Sequence, residues 1–330
     1  MTMNKLKVID IGHSNLSIDA AMLDLETKIS QLNFEGDYKV VKVIFGHGSG
    51  ALKKTIKGWI KEQEGRFKAI IYGEDYNVFN KVAVDMRSEC KLRDDHDFGK
   101  NDGGNEYIFK NSSKQLFLKY WKIPEDDHRY QRDGLYFEKI LNFEHGTVQI
   151  LILDTRYFRS SLLKNQKTVK NEMGNYLPDY DSMKTMLGKI QWKWLIKALE
   201  REVDVRVIGT SIQLLAEGHR WERWGNFPNE RKKLLKLLSK TSNNNAIVIS
   251  GDRHLGGIYK FISRNGSTIY EITSSSMNMP SRIQHENGPL RIGDIYTREN
   301  FGIIRIDLKK KKIKIELHGL HEGIVQSVNL

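Results

Sequence analysis

Two rhythms of apolar and polar positions alternate through the first ninety residues. Residues 7–11 form a short strand-like run, and residues 18–32 carry Ala21, Leu25, Ile29 and Leu32 at helical spacing behind Ser17, a natural helix cap. Residues 38–45 predict a second strand, 46–50 a tight glycine loop, 51–62 a second amphipathic helix and 67–72 a third strand. Strand–helix–strand–helix–strand at these lengths is a small α/β unit whose helices cross over a sheet. The texture then changes. Residues 73–102 are irregular and charge-rich, and 103–104 and 111–113 read as loop. A second α/β pattern begins at the apolar run 148–154. After a polar surface loop over 164–182 come a helix over 188–200 with Trp192, Leu195 and Leu199 on one side, a buried-type strand at 205–210, a helix over 229–239 and a strand at 246–250. Two antiparallel pairs close the chain, 256–262 with 267–273 and 302–308 with 312–317, the second turning through Lys309–Lys312. No internal repeat is visible.

Composition narrows the classes. With 330 residues, a hydrophobic fraction of 39% and 13 Tyr, 13 Phe and 6 Trp, the chain can build two domains with real cores and is not a disordered protein. A single cysteine, Cys90, excludes an intrachain disulfide framework and fits a reducing compartment. No segment has the length and apolarity of a membrane span or a signal peptide, so a soluble cytoplasmic protein is expected. The net charge is +12; the first 92 residues carry 14 Lys and Arg against 12 Asp and Glu, so the excess lies mostly downstream. Such a surface attracts phosphate-bearing partners, although scattered lysines also arise from plain sequence bias. The lysine run at 309–312 reads most simply as a solvated hairpin tip.

The glycine loop Gly46-His47-Gly48-Ser49-Gly50 lies between a strand and a helix, where backbone N–H groups and a helix N-terminus can meet an anion. It is neither a Walker loop nor a dinucleotide fingerprint. In context, residues 6–90 resemble the Smr (small MutS-related) domain, through Asp10-Ile11-Gly12-His13 and Phe45-Gly46-His47-Gly48-Ser49-Gly50-Ala51-Leu52. The resemblance implies nucleic-acid binding by His13, Gly46, His47, Gly48, Gly50 and Lys53. The first-motif Gly and His are interchanged, and Phe45 stands where the family's second motif has histidine. A phenyl ring neither ligates nor moves protons, so nicking is not carried over.

Downstream, hard oxygen ligands, an amide and imidazoles gather at Asp94-Asp95-His96-Asp97-Phe98-Gly99-Lys100-Asn101-Asp102 and at Ser250-Gly251-Asp252-Arg253-His254. These residue types can grip divalent ions and aim a water. Asp95, Asn101, Asp252 and His254 are candidate metal ligands. His96 is a ligand or a proton donor, and Asp94 and Asp97 can orient it. Gly251 lets the chain turn sharply toward one centre. Arg156 and Arg159 meet either a phosphate or the carboxylates of Asp154 or Glu222. Trp221, Trp224 and Phe227 read as core or cleft wall. With Leu153-Asp154-Thr155-Arg156, Gly188-Lys189-Ile190-Gln191-Trp192 and Trp224-Gly225-Asn226-Phe227-Pro228-Asn229-Glu230-Arg231 between them, these motifs resemble the PhoD-like metallophosphatases over residues 91–330.

That resemblance implies two packed mixed sheets flanked by helices, bound Ca, Mn or Fe, and hydrolysis of phosphomonoesters or phosphodiesters with Asp95, His96 and Arg156 as catalytic groups. In the family a strand and a Gly-Asp motif supply ligands before the Asp-Asp-His segment. Here the Smr-like unit occupies that place, and Arg93 stands for the usual tryptophan. The expectation is therefore an Smr-like domain over 1–90 followed by the C-terminal portion of a metallophosphatase over 91–330. Its metal site would be incomplete alone, or completed by a second chain. The alternative is a nucleic-acid-binding or nicking protein acting through the Smr-like domain, with a non-catalytic downstream domain.

Overall fold

The computed structural model describes residues 5–11, 16–35, 38–44, 51–62, 93–165, 173–241, 246–277, 279–281 and 286–330. The chain divides into two units, Met1–Gly73 and Glu74–Leu330. Among the described residues no helix is long and apolar enough to cross a membrane.

In the upstream unit, β1 (Lys5–Asp10) pairs in parallel with β2 (Tyr38–Ile44), Val8 facing Lys42 and Asp10 facing Ile44. A parallel pair needs a crossover, and α1 (Ile18–Glu35) supplies it. Ser17 Oγ accepts the Ala20 N–H at 3.3 Å, satisfying one of the donors that every helix start leaves free. The stripe Ala21, Leu25, Ile29 is buried with Ile9, Ile11 and Ile56, the last from α2 (Ala51–Glu62). The expected third strand at 67–72, His13 and the loop Gly46, His47, Gly48 and Gly50 lie outside the described residues; Lys53 lies in the first turn of α2.

Among the described residues of the downstream unit, three short helices come first, α3 (Asp95–Phe98), α4 (Lys110–Tyr120) and α5 (His128–Gln131). Residues 111–113, expected as loop, form the first turn of α4. Polar residues are at home there: Ser113 Oγ donates to the Asp97 carbonyl at 2.9 Å. The apolar signal, Phe117 and Leu118, comes only a turn later, where both pack with Ile123 and Leu135.

The antiparallel pair β3 (Phe137–Phe143) and β4 (Gly146–Ile152) begins the main sheet. A two-residue ribbon, β5 (Leu163–Lys164) with β6 (Tyr176–Leu177), tethers the polar stretch expected to be loop. Then follow α6 (Gly188–Leu199), β7 (Val205–Gly209), a 3-10 turn at Trp224–Asn226, α7 (Pro228–Thr241), β8 (Ala246–Ser250), β9 (Gly256–Ile262), β10 (Thr268–Ser274) and β11 (Arg291–Tyr296). The seven-stranded sheet has the order β11-β9-β10-β8-β7-β4-β3. Its centre, β4, β7, β8 and β10, is parallel, and its remaining pairings are antiparallel.

Period-2 alternation sends β4 side chains to opposite faces. Leu151 and Leu153 join Ile208 and Val248 under Trp192, Leu195 and Leu199 of α6 and Leu234 and Leu238 of α7. Val148, Ile150 and Ile152 face Ile313, Ile315 and Leu317 of a second sheet, made of β12 (Asn300–Asp307), β13 (Lys312–Gly319) and β14 (Gly323–Asn329). Helices, mixed sheet and antiparallel sheet form three layers. The lysine run turns between β12 and β13, where Asp307 Oδ1 accepts the Lys310 N–H at 2.9 Å. Trp224 and Phe227 are core, whereas Trp221 is 41% exposed.

Candidate metal centre

The centre starts from a four-residue helix. Asp94 precedes α3, and its N–H reaches Asp97 Oδ2 at 3.5 Å. The Gly99 N–H closes the turn on the Asp95 carbonyl at 2.7 Å. Gly99 has φ 112°, a left-handed conformation suited to glycine, and a Cβ there would lie 2.6 Å from the Tyr107 hydroxyl. Phe98 is fully buried with the Arg93 guanidinium 4.7 Å over its ring, which anchors the turn. Asp95 is held by two backbone donors, His96 N–H on Oδ1 at 2.7 Å and Asp102 N–H on Oδ2 at 3.1 Å.

The second part follows β8. The Gly251 N–H bonds the Ser211 carbonyl at 3.0 Å. The sharp turn expected of Gly251 falls instead on its successors: Asp252 has φ 69° and His254 φ 54°. Both types tolerate the left-handed region better than most, at some cost in strain. The turn brings Asp252 to Asp94 and Asp95, with one carboxylate oxygen of each within 4.8 Å of the others.

A ring of buried charge surrounds these acids. Arg156, fully buried, gives one nitrogen to Asp94 Oδ1 at 2.5 Å and the other to Glu222 Oε2. Glu222 Oε1 takes Arg159 at 3.0 Å, and Arg159 donates to the Asp102 carbonyl at 2.6 Å. Asp102 returns through its N–H to Asp95 and accepts the Tyr176 hydroxyl on Oδ2 at 2.6 Å. Asp154 stands apart. Its Oδ2 pairs with Arg93 at 3.1 Å and accepts the Leu135 N–H, while Oδ1 accepts the N–H groups of Arg156 and Tyr157 at 3.0 and 2.9 Å. It shapes the turn that carries Arg156. Gln191 of α6 fixes the same turn by bonding both the N–H and the carbonyl of Asp154.

The ring does not balance. Among the described residues Asp94, Asp95, Asp102, Asp252 and Glu222 share Arg156 and Arg159, leaving a formal charge near −3 when all are ionised. Burial, then the neighbouring Asp94 and Glu222, push the Asp252 carboxyl well above the usual carboxylate range. Burial also lifts Glu222 to about 7 despite its two arginines. Burial would lower Arg156, but Glu222, Asp94 and Asp252 outweigh it and hold the guanidinium well above its ordinary value.

The other expected site residues stand around this core. His96 is beside it and open, its side chain 86% exposed with Nε2 4.0 Å from Asp95 Oδ1. Asn101 is exposed on the turn after α3. His254 is exposed, and its Nδ1 donates to the Met279 carbonyl at 2.9 Å, which leaves Nε2 as the free nitrogen. It is not among the carboxylates that converge. Asp94, expected only to orient His96, is one of the three converging carboxylates. Of the partners open to Arg156 and Arg159, both take the carboxylate of Glu222.

The downstream unit is thus a layered mixed-sheet fold that gathers three carboxylates, from the turn before α3 and the turn after β8. Residues 110–317 match the PhoD-like phosphatase family, and the chain belongs to it. Among solved structures, one of PhoD aligns with a TM-score of 0.53 and 16% identity, over 72% of this chain and 50% of that one. At that identity the likeness is one of fold, and the chain spans half the length of the protein it matches. No curated protein matches the chain. The family match begins at residue 110 and takes in none of the upstream unit, so the Smr resemblance gains no support from it. PhoD-like phosphatases depend on metal ions, and the donor set here fits one: three clustered carboxylates, of which only Asp94 is paired with an arginine among the described residues, are hard ligands for a divalent ion.

Proposed function

We propose that the chain is a metal-dependent phosphoesterase centred on Asp94, Asp95 and Asp252. The observation that carries this reading is the convergence of three carboxylates from segments about 157 residues apart onto one point whose charge the protein leaves unbalanced. A bound divalent ion supplies neutralisation of phosphoryl oxygens and a water of lowered pKa. The chain's own groups do the rest. Asp94, Asp95 and Asp252 hold the ion. Arg156 is fully buried, so it orients Asp94 rather than touching substrate, with Glu222 fixing it from behind. His96, open beside Asp95, is the proton donor to the leaving oxygen. Asn101 and the Nε2 of His254 are the additional ligands this reading calls on.

Three carboxylates fill only part of the coordination sphere of a Ca ion, which takes six to eight oxygens. The family's upstream ligand-bearing strand and Gly-Asp motif have no recognised counterpart in this sequence, so on this reading the isolated chain is weakly active at best, and a second chain that adds ligands would raise its turnover. The test is metal content by elemental analysis together with hydrolysis of a chromogenic phosphodiester in Mn, Ca or Fe. Metal bound by the native chain and lost in Asp252→Asn supports the reading; no uptake of any of the three by the folded chain sinks it.

A second reading rests on the β–α–β–α order of the upstream unit. It is that nucleic acid binds at His13, His47 and the glycines between β2 and α2. The paired substitution His13→Ala and His47→Ala should then weaken binding of the full chain to RNA or DNA, and unaltered binding counts against it.

A further inference from the structure

One groove of the downstream unit is lined by six basic residues, Arg223, Arg231, Lys232, Lys236, Lys240 and Arg264, and by no residue of the acidic centre. It encloses about 920 Å³ and runs along α7, floored by Leu235 and Phe261. Lys232, Lys236 and Lys240 line it. Four residues of helix advance about 6 Å and return almost to the same face, so these three form a straight row of charges. Arg264, at the tip of the β9–β10 hairpin, stands at the same groove. All four side chains belong to exposed residues, and among the described residues none makes an ion pair. The undescribed residues 242–245, Ser-Asn-Asn-Asn, bring no acid. Glu217 is the groove's one carboxylate, and it is engaged by Arg231 at 2.7 Å. Arg223 adds a half-buried guanidinium whose Nε has no partner. Tyr180 stands on the rim, 71% exposed.

A compact phosphate monoester needs one cluster of donors. A row of evenly spaced ammonium groups over an apolar floor with an aromatic rim suits instead a chain of repeated phosphates that carries flat rings. We propose that this groove binds single-stranded nucleic acid, the backbone on Lys232, Lys236, Lys240 and Arg264 and a base against Tyr180. The site is independent of the metal centre and does not require catalysis.

The experiment measures fluorescence anisotropy of a labelled 20-nucleotide oligodeoxythymidylate with the full chain, from 50 to 200 mM salt. The native chain should bind with affinity that falls steeply with salt. The triple variant K232E/K236E/K240E, altered only at exposed positions, should lower the log–log salt slope by about 2, at about 0.7 per lost phosphate contact. K236A alone should lower it by about 0.7 and guards against misfolding of the triple variant. Y180A should weaken binding about tenfold with the slope unchanged. A native slope in both lysine variants overturns the proposal, as does absence of binding by the native chain at 50 mM salt. Displacement by inorganic polyphosphate at equal phosphate concentration, with no effect of Y180A, would make the groove a general polyanion site and overturn its assignment to nucleic acid.

Discussion

Asp252 carries two costs at once. Its backbone is left-handed at φ 69°, and its carboxyl is buried against like charges that raise its pKa. On the proposed reading both costs are borne for metal binding. The consequence is an opposed pair of effects. Asp252→Gly removes the strain and the repulsion, so in chelator it should be more stable than the native chain by about 1 kcal/mol, while its metal uptake falls away. Parallel denaturation and elemental analysis check this; a variant that is less stable in chelator would place the cost elsewhere. His219 tests burial without metal. It is buried, accepts the Trp221 N–H on Nδ1 at 3.1 Å and bonds Gln213 through Nε2 at 2.9 Å. Burial, then the nearby Arg253 and Arg223, push its pKa well below 6.5. The unfolded chain therefore takes up a proton below about pH 6.5 that the folded chain refuses. The stability from neutral His219 is present above that pH and declines by about 1.4 kcal/mol per pH unit beneath it. Native stability should fall faster than that of His219→Gln between pH 6.5 and 5.5; equal slopes would show that the ring charges freely in the fold.

At the scale of elements, the site depends on a turn that has little structure of its own. Four residues make α3 too short to hold itself. It is fixed by Phe98, by Arg93 stacked on it and by the left-handed Gly99. Gly99→Ala meets both the positive φ and the Tyr107 hydroxyl at 2.6 Å. It should cost about 1–3 kcal/mol and weaken metal binding without touching a ligand, and titration calorimetry with Mn measures the loss. Unchanged affinity would mean that Asp94 and Asp95 hold their places without the turn. The same contrast explains what the sequence made visible. The face of α6 was readable from Trp192, Leu195 and Leu199, and β7 and β8 from continuous apolar runs, because local period reports burial. The start of α4 was not, since Asn111, Ser112 and Ser113 satisfy a helix start and a loop equally well. The two acidic motifs were legible as text. Their meeting point and the shift of the left-handed turn from Gly251 to Asp252 arise only from tertiary pairing, and so does the choice of Glu222 among the partners open to Arg156 and Arg159.

On the whole molecule, the two units have separate cores: Ile9, Leu25 and Ile56 in one, and the paired clusters on either side of β4 in the other. Units that do not share a core unfold as separate events unless an interface couples them, so thermal unfolding need not be one transition. All three converging carboxylates lie in the Glu74–Leu330 unit. An ion that binds there and not to the unfolded chain stabilises that unit by about 2.7 kcal/mol at one hundred times its dissociation constant. In a calorimetric scan, Mn or Ca should therefore move the larger transition upward, chelator should return it, and the smaller transition should stay in place. Asp252→Asn should abolish the shift. A shift of both transitions together would show that the units unfold as one body, and a shift surviving in Asp252→Asn would show that the ion binds elsewhere. The distinction matters for the phosphoesterase reading, because metal dependence of the whole chain supports it only when the response traces to the unit, and to the carboxylate, that the fold places at the centre.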